Sequence, residues 1–135
     1  MARRVYFAFD YKDVFAVNQI RRSGQFTSVA VAGFHDASQW EKLRQKDDNV
    51  IRRAIDTALK NTSVTVVCIG ERTASRRWVK YELSASLVRG NGLLGVYLPG
   101  TAGHPIPKTL VGAGAGVYRW NPQRFAAWVE AAARR

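Results

Sequence analysis

The sequence predicts a three-layer α/β domain with a five-stranded parallel sheet, and three observations predict it. Short apolar, β-branched runs alternate with stretches of helical periodicity along all 135 residues. The first run, Arg4 to Asp10, has almost no polar break, as a strand buried on both faces does. Glycine, asparagine and proline mark the joints between them.

Taken in order, Arg4 to Asp10 is an aromatic and apolar strand. Asp13 stands where a helix can start, and Val14, Phe15, Val17 and Ile20 carry it to a stop at Ser23-Gly24. Val29 to Ala32 is a second strand, and the mixed polar stretch from Gly33 to Asp48 is a long loop with at most a helical turn. Asp47-Asp48 then cap a helix whose apolar face is Ile51, Ala54, Ile55, Ala58 and Leu59, and Asn61 closes it. Ser63 to Gly70 is the clearest strand, rich in β-branched residues. A helix from about Arg76 to Arg89 follows, with Val79, Leu83 and Leu87 as its core stripe, and Gly90-Asn91-Gly92 ends it. Leu93 to Leu98 is a strand, Pro99 to Gly116 is loop-rich, and Val117 to Trp120 is the last strand. Asn121-Pro122 offers an N-cap and a first-turn proline to a final helix bearing Phe125, Trp128, Val129 and Ala132.

Such alternation forces parallel pairing through right-handed crossovers, with helices on both faces. Five strands in a chain this short match the flavodoxin-like order 2-1-3-4-5, as one domain over residues 1–135. In that order a ligand lies beyond the carboxyl ends of the strands, where strands one and three diverge. Those ends carry Phe9-Asp10-Tyr11, residues 33–40 and residues 70–73.

No apolar run approaches the ~18–20 residues of a membrane helix, and no signal peptide is legible. A single cysteine, Cys68, excludes an internal disulfide and fits a reducing compartment, so the expected location is the cytoplasm. The formal net charge of +11 favours anionic partners. The basic residues come as scattered pairs without a recognition motif, which makes nucleic acid the disfavoured partner and a phosphate-bearing small molecule the better one.

Several functions open to this fold lack their residues. A phosphate-receiver site needs an aspartate at the end of strand three, which here ends Cys68-Ile69-Gly70. The hydroxyl-rich phosphate loop of a flavodoxin is replaced by Asp10-Tyr11-Lys12-Asp13. The run from Gly112 to Gly116 has no Gly-Lys-Ser/Thr ending, and so is a loop and no phosphate cradle. No Cys/His set has metal spacing, and His35 and His104 are isolated.

What remains is a rim of aromatic, acidic and basic residues. Four blocks there, Val5 to Tyr11, Asp36 to Glu41, Thr62 to Gly70 and Trp78-Val79-Lys80-Tyr81-Glu82, keep their order over about residues 4–98. Together they resemble the TIR-like family, which includes TIR-like proteins of Thoeris antiphage defence. The resemblance implies that Glu82, the glutamate of the Trp-x-x-x-Glu block, is catalytic. It implies a substrate site drawn from Phe9, Asp10, Tyr11, Asp36, Ser38, Trp40, Arg72 and Trp78. The spacing itself puts Trp78 and Glu82 one helical turn apart on one face, at the edge of the buried stripe. The sequence departs from many relatives in the first block, carrying Ala8 and Asp10 where they have serine and histidine.

The implied activity is cleavage of the nicotinamide–ribose bond of NAD+, a substrate and not a cofactor, with no metal. Trp40, Phe9, Tyr11 or Trp78 would stack on a ring, and Arg72, Arg76 or Arg77 would pair with the pyrophosphate. The product would be ADP-ribose or a cyclic derivative serving as a signal. Partners implied are NAD+, further copies through self-association, and a separately encoded effector activated by the product. The alternative is a non-catalytic interaction module using the aromatic-rich loop 33–41.

Overall fold

The computed structural model describes residues 3–21, 29–32, 42–43, 45–100 and 102–134. Strand β1 (Arg3–Ala8) leads through a turn of 3-10 helix (Tyr11–Asp13) into α1 (Val14–Arg21). Then come β2 (Val29–Ala32), α2 (Asp48–Leu59), β3 (Val64–Ile69), a second 3-10 turn (Thr73–Ser75) and α3 (Arg77–Arg89). The chain continues through β4 (Gly92–Tyr97), α4 (Lys108–Gly112), β5 (Gly116–Arg119) and α5 (Phe125–Ala133). All strand pairs are parallel, and the order across the sheet is β2-β1-β3-β4-β5.

Side chains alternate across β1, and the two faces build two cores. Val5, Phe7 and Phe9 pack with Val14, Val17, Ile20, Phe125 and Val129, the layer of α1 and α5. Tyr6 and Ala8 face the other way, among Ile51, Ile55, Leu59, Val79, Leu83 and Leu110, the layer of α2, α3 and α4. β3 is buried along its whole length, as a strand covered on both faces must be.

Several expectations need correction at element ends. Asp47 is the N-cap of α2 but makes no side-chain capping bond, so its benefit is electrostatic. Asn121 caps a preceding turn, accepting from the Gln123 amide at 3.0 Å, and the last helix starts later, at Phe125. The loop-rich stretch after β4 contains the short helix α4, which starts after Pro107.

Leu87 is 47% exposed and leaves the core stripe. Its place is taken on the buried side of α3 by Glu82 and Ser86, beside Val79 and Leu83. Spacing by four advances 40° per step at 3.6 residues per turn, so two steps carry Leu87 off the face that Val79 defines. Gly90 ends α3 at φ 82, a conformation glycine adopts without a Cβ penalty.

Candidate active site

The carboxyl ends of β1 and β3 and the N-terminus of α3 meet at one rim. Phe9, Asp10, Tyr11 and Lys12 follow β1, and with Arg76, Arg77, Trp78 and Val79 they line a cavity of about 250 Å³. Of the residues the sequence put at the site, Phe9, Asp10, Tyr11 and Trp78 come together here. Arg72 does not: it is exposed and precedes the Thr73–Ser75 turn, where its carbonyl accepts from the Ser75 hydroxyl at 3.0 Å. Arg76 and Arg77 supply the positive wall instead. Asp36, Ser38 and Trp40 lie outside the described residues.

Asp10 is nearly buried, and Arg76 Nε donates to its Oδ1 at 2.9 Å. Asp10 is therefore charge-compensated. Arg77 stacks over the Trp78 ring, 4.5 Å from its centroid, and pairs with Asp48 of α2 at 2.5 Å. Trp78 also meets Tyr81 edge to face at 5.8 Å. These contacts, a cation over the ring and an edge-to-face aromatic neighbour, hold the indole at the cavity wall.

Asp13, read from the sequence as a helix start, belongs to the same rim. Its Oδ2 is buried without a hydrogen-bond partner among the described residues. Burial, then the neighbouring charges of Asp10 and Glu71, push its carboxyl above the usual range, while His104 and Arg76 pull it back. The carboxyl group fits only because residue 70 is glycine, since a Cβ there would overlap it.

Glu82 lies one turn further along α3. It is fully buried, beyond the partial desolvation its spacing implies, and it does not line the cavity. The phenol of Tyr6, itself fully buried, donates to Glu82 Oε2, and Glu82 Oε1 has no partner among the described residues. Burial drives the Glu82 pKa up to about 8, against the Tyr6 bond, which lowers it. Glu82 shares the buried side of α3 with Val79, which also lines the cavity. Ala8, between Tyr6 and the rim on that face of β1, contributes only a methyl group.

Sequence reasoning missed Tyr6. A signal existed: a tyrosine on an otherwise aliphatic strand face needs a buried partner for its hydroxyl.

A second cavity, about 400 Å³, lies at the ends of β4 and β5 and is lined by Tyr97, Leu98, Pro99, Gly100, Ala102, Arg119 and Trp120. It holds none of the expected site residues. Among the described residues no group of His, Cys, Asp or Glu could hold a metal ion, and no helix is long and apolar enough to cross a membrane.

A parallel α/β sheet with aromatic, acidic and basic residues at the rim, and a buried glutamate on the helix after β3, defines the class of TIR-like domains. A family model described as "Thoeris protein ThsB, TIR-like domain" matches residues 6–103. The chain belongs to this Thoeris TIR-like family. It is 43% identical over 101 residues, 73% of this chain and 53% of the relative, to a Bacillus cereus (strain MSX-D12) protein named "Putative cyclic ADP-D-ribose synthase ThsB1". The chain thus spans about half the length of that curated relative.

Proposed function

We propose that this chain cleaves the nicotinamide–ribose bond of NAD+ and converts the remaining ADP-ribosyl unit to a cyclic or hydrolysed signal in antiphage defence, with Glu82 as the catalytic residue. The observation that carries the reading is the Glu82 carboxyl group itself. It is wholly desolvated, keeps one oxygen unpartnered, and lies one helical turn from a cavity walled by tryptophan and arginines. The name of the Bacillus relative supports the same substrate class.

The chemistry suits a lone carboxylate. The bond between ribose C1′ and the pyridinium nitrogen breaks, and its electron pair neutralises the leaving nicotinamide. No acid is needed to protonate that group, unlike in ordinary glycosidases with two carboxyl groups. Positive charge develops on the sugar, and an ionised Glu82 stabilises it in a dry site. Capture by water gives ADP-ribose and a proton, and capture by a nucleophile of the same molecule gives a cyclic product and a proton.

Two features of the resting chain shape this mechanism. Glu82 has no exposure, so the ligand must displace part of the wall at Val79 and Trp78 before the carboxyl group meets the ribose. With a pKa of about 8 the group is mostly protonated at neutral pH, and the cationic pyridinium ring favours its ionised form on arrival. Trp78 and Tyr11 offer faces for a ring, and Arg76 and Arg77, paired in the resting chain with Asp10 and Asp48, are the cations that would turn to the pyrophosphate.

The experiment is a mass-spectrometric product analysis of the purified chain with NAD+, at several protein concentrations so that self-association is covered. Nicotinamide together with an ADP-ribose-derived product supports the proposal. NAD+ left intact at every concentration, including in lysate from phage-infected cells, contradicts it and favours the non-catalytic interaction module.

A further inference from the structure

We propose that Tyr6 is a positioning residue for Glu82: its phenol anchors the carboxyl group through Oε2 and thereby assigns Oε1 as the oxygen presented to the ligand. The inference rests on the reading of Glu82 as the acting carboxyl group, and it adds which atom acts and what holds it.

The geometry is specific. Tyr6 sits in the middle of β1, and neither its ring nor Glu82 has any exposure. The core cluster that holds Tyr6 includes Ile51 and Ile55 from α2, Val67 and Ile69 from β3, and Val79 and Leu83 from α3, whose side chains cannot hydrogen-bond. Tyr6 is therefore the one titratable side chain facing the carboxyl group from β1, and β3 contributes none among the described residues. From α2, Asp56 acts on Tyr6 through its charge, but its Oδ1 is exposed and taken by the Tyr81 hydroxyl at 2.9 Å. With Oε2 accepting from Tyr6, Oε1 is the oxygen that carries the proton of the neutral acid and the wholly uncommitted oxygen of the anion.

A carboxylate fixed through one oxygen loses rotational freedom, and preorganisation of this kind is what makes a charged group effective in a closed site. The bond also favours the ionised form, because a hydrogen bond donated to a carboxylate stabilises the charge that burial disfavours. Tyr6 thus opposes the desolvation that keeps Glu82 protonated.

The test is Tyr6→Phe, which removes one oxygen and keeps the ring. ¹³C-carboxyl NMR of Glu82, without any ligand, is predicted to show its titration midpoint rising by about 1–2 pH units, the equivalent of losing a hydrogen bond to a charged group. In nicotinamide release from NAD+, kcat should fall about 10–100-fold with KM little changed, and the acid limb of the pH profile should move up with the NMR midpoint. Biosynthetic 3-fluorotyrosine makes the phenol a stronger donor and should move the midpoint the other way, a readout that stands even if Tyr6→Phe folds poorly. An unchanged Glu82 midpoint in both proteins overturns the proposal. If wild type is inactive on NAD+ while the midpoints shift as stated, the pairing stands and the enzymatic reading fails. If NAD+ is cleaved and the midpoints do not move, the reverse holds.

Discussion

Trp78 and Glu82 are separated by a single turn of α3, and that turn separates a half-buried indole at a cavity wall from a carboxyl group with no exposure. The helix crosses from rim to core within those four residues. This places the proposed acting group beneath the binding surface, and the consequences are measurable.

The first concerns stability against pH. Folded Glu82 holds its proton up to about pH 8, whereas the unfolded group releases it near 4.5. Between these values the folded state binds more protons, so stability falls as pH rises through the window and levels off above it. The bound on this effect is about 5 kcal/mol, from about 1.4 kcal/mol per pKa unit. Glu82→Gln removes the penalty. Urea unfolding should find the variant close to wild type at pH 5 and more stable by at least about 2 kcal/mol at pH 9. Equal pH slopes for the two proteins would show that the carboxyl group is not desolvated as described.

A second prediction tests which face of α3 is buried. Leu83→Ala should cost about 2–5 kcal/mol as a core truncation. Leu87→Ala should lie within about 0.5 kcal/mol of wild type, since Leu87 is largely in solvent. Comparable losses for both would restore the regular spacing by four.

A third concerns Gly70 and Asp13. Gly70→Ala forces a methyl group into the Asp13 carboxyl and should cost about 1–3 kcal/mol. Asp13→Ala in the same chain should recover most of that loss, and a double-mutant cycle by chemical denaturation measures the coupling. Additive effects would mean that the two residues do not touch.

The alternation that specifies a parallel sheet was legible, because strands buried on both faces leave nearly apolar, β-branched runs such as Val64 to Ile69, broken only by Thr65. Helix boundaries were less so. Asn121-Pro122 is equally good chemistry for a helix start and for the turn that precedes one, and only packing of Phe125 decides between them. At the site, Phe9, Asp10, Tyr11 and Trp78 could be placed because strand ends and motif spacing locate them. Asp13 and Gly70 could not, since their meeting depends on how the connections after β1 and β3 fold over one rim. Tyr6 was hidden for another reason: in a run of apolar residues its hydroxyl is invisible unless its partner across the layer is known.

The most direct measurement is the rate of nicotinamide release from NAD+ by wild type and by Glu82→Gln, at equal concentration and at pH values on both sides of 8. A loss of about 10³-fold or more is predicted for the variant, since the charge removed is the one that stabilises the sugar cation. Wild-type activity should climb with pH as Glu82 ionises. A Glu82→Gln protein that releases nicotinamide within about tenfold of wild type would contradict the account, whatever its stability.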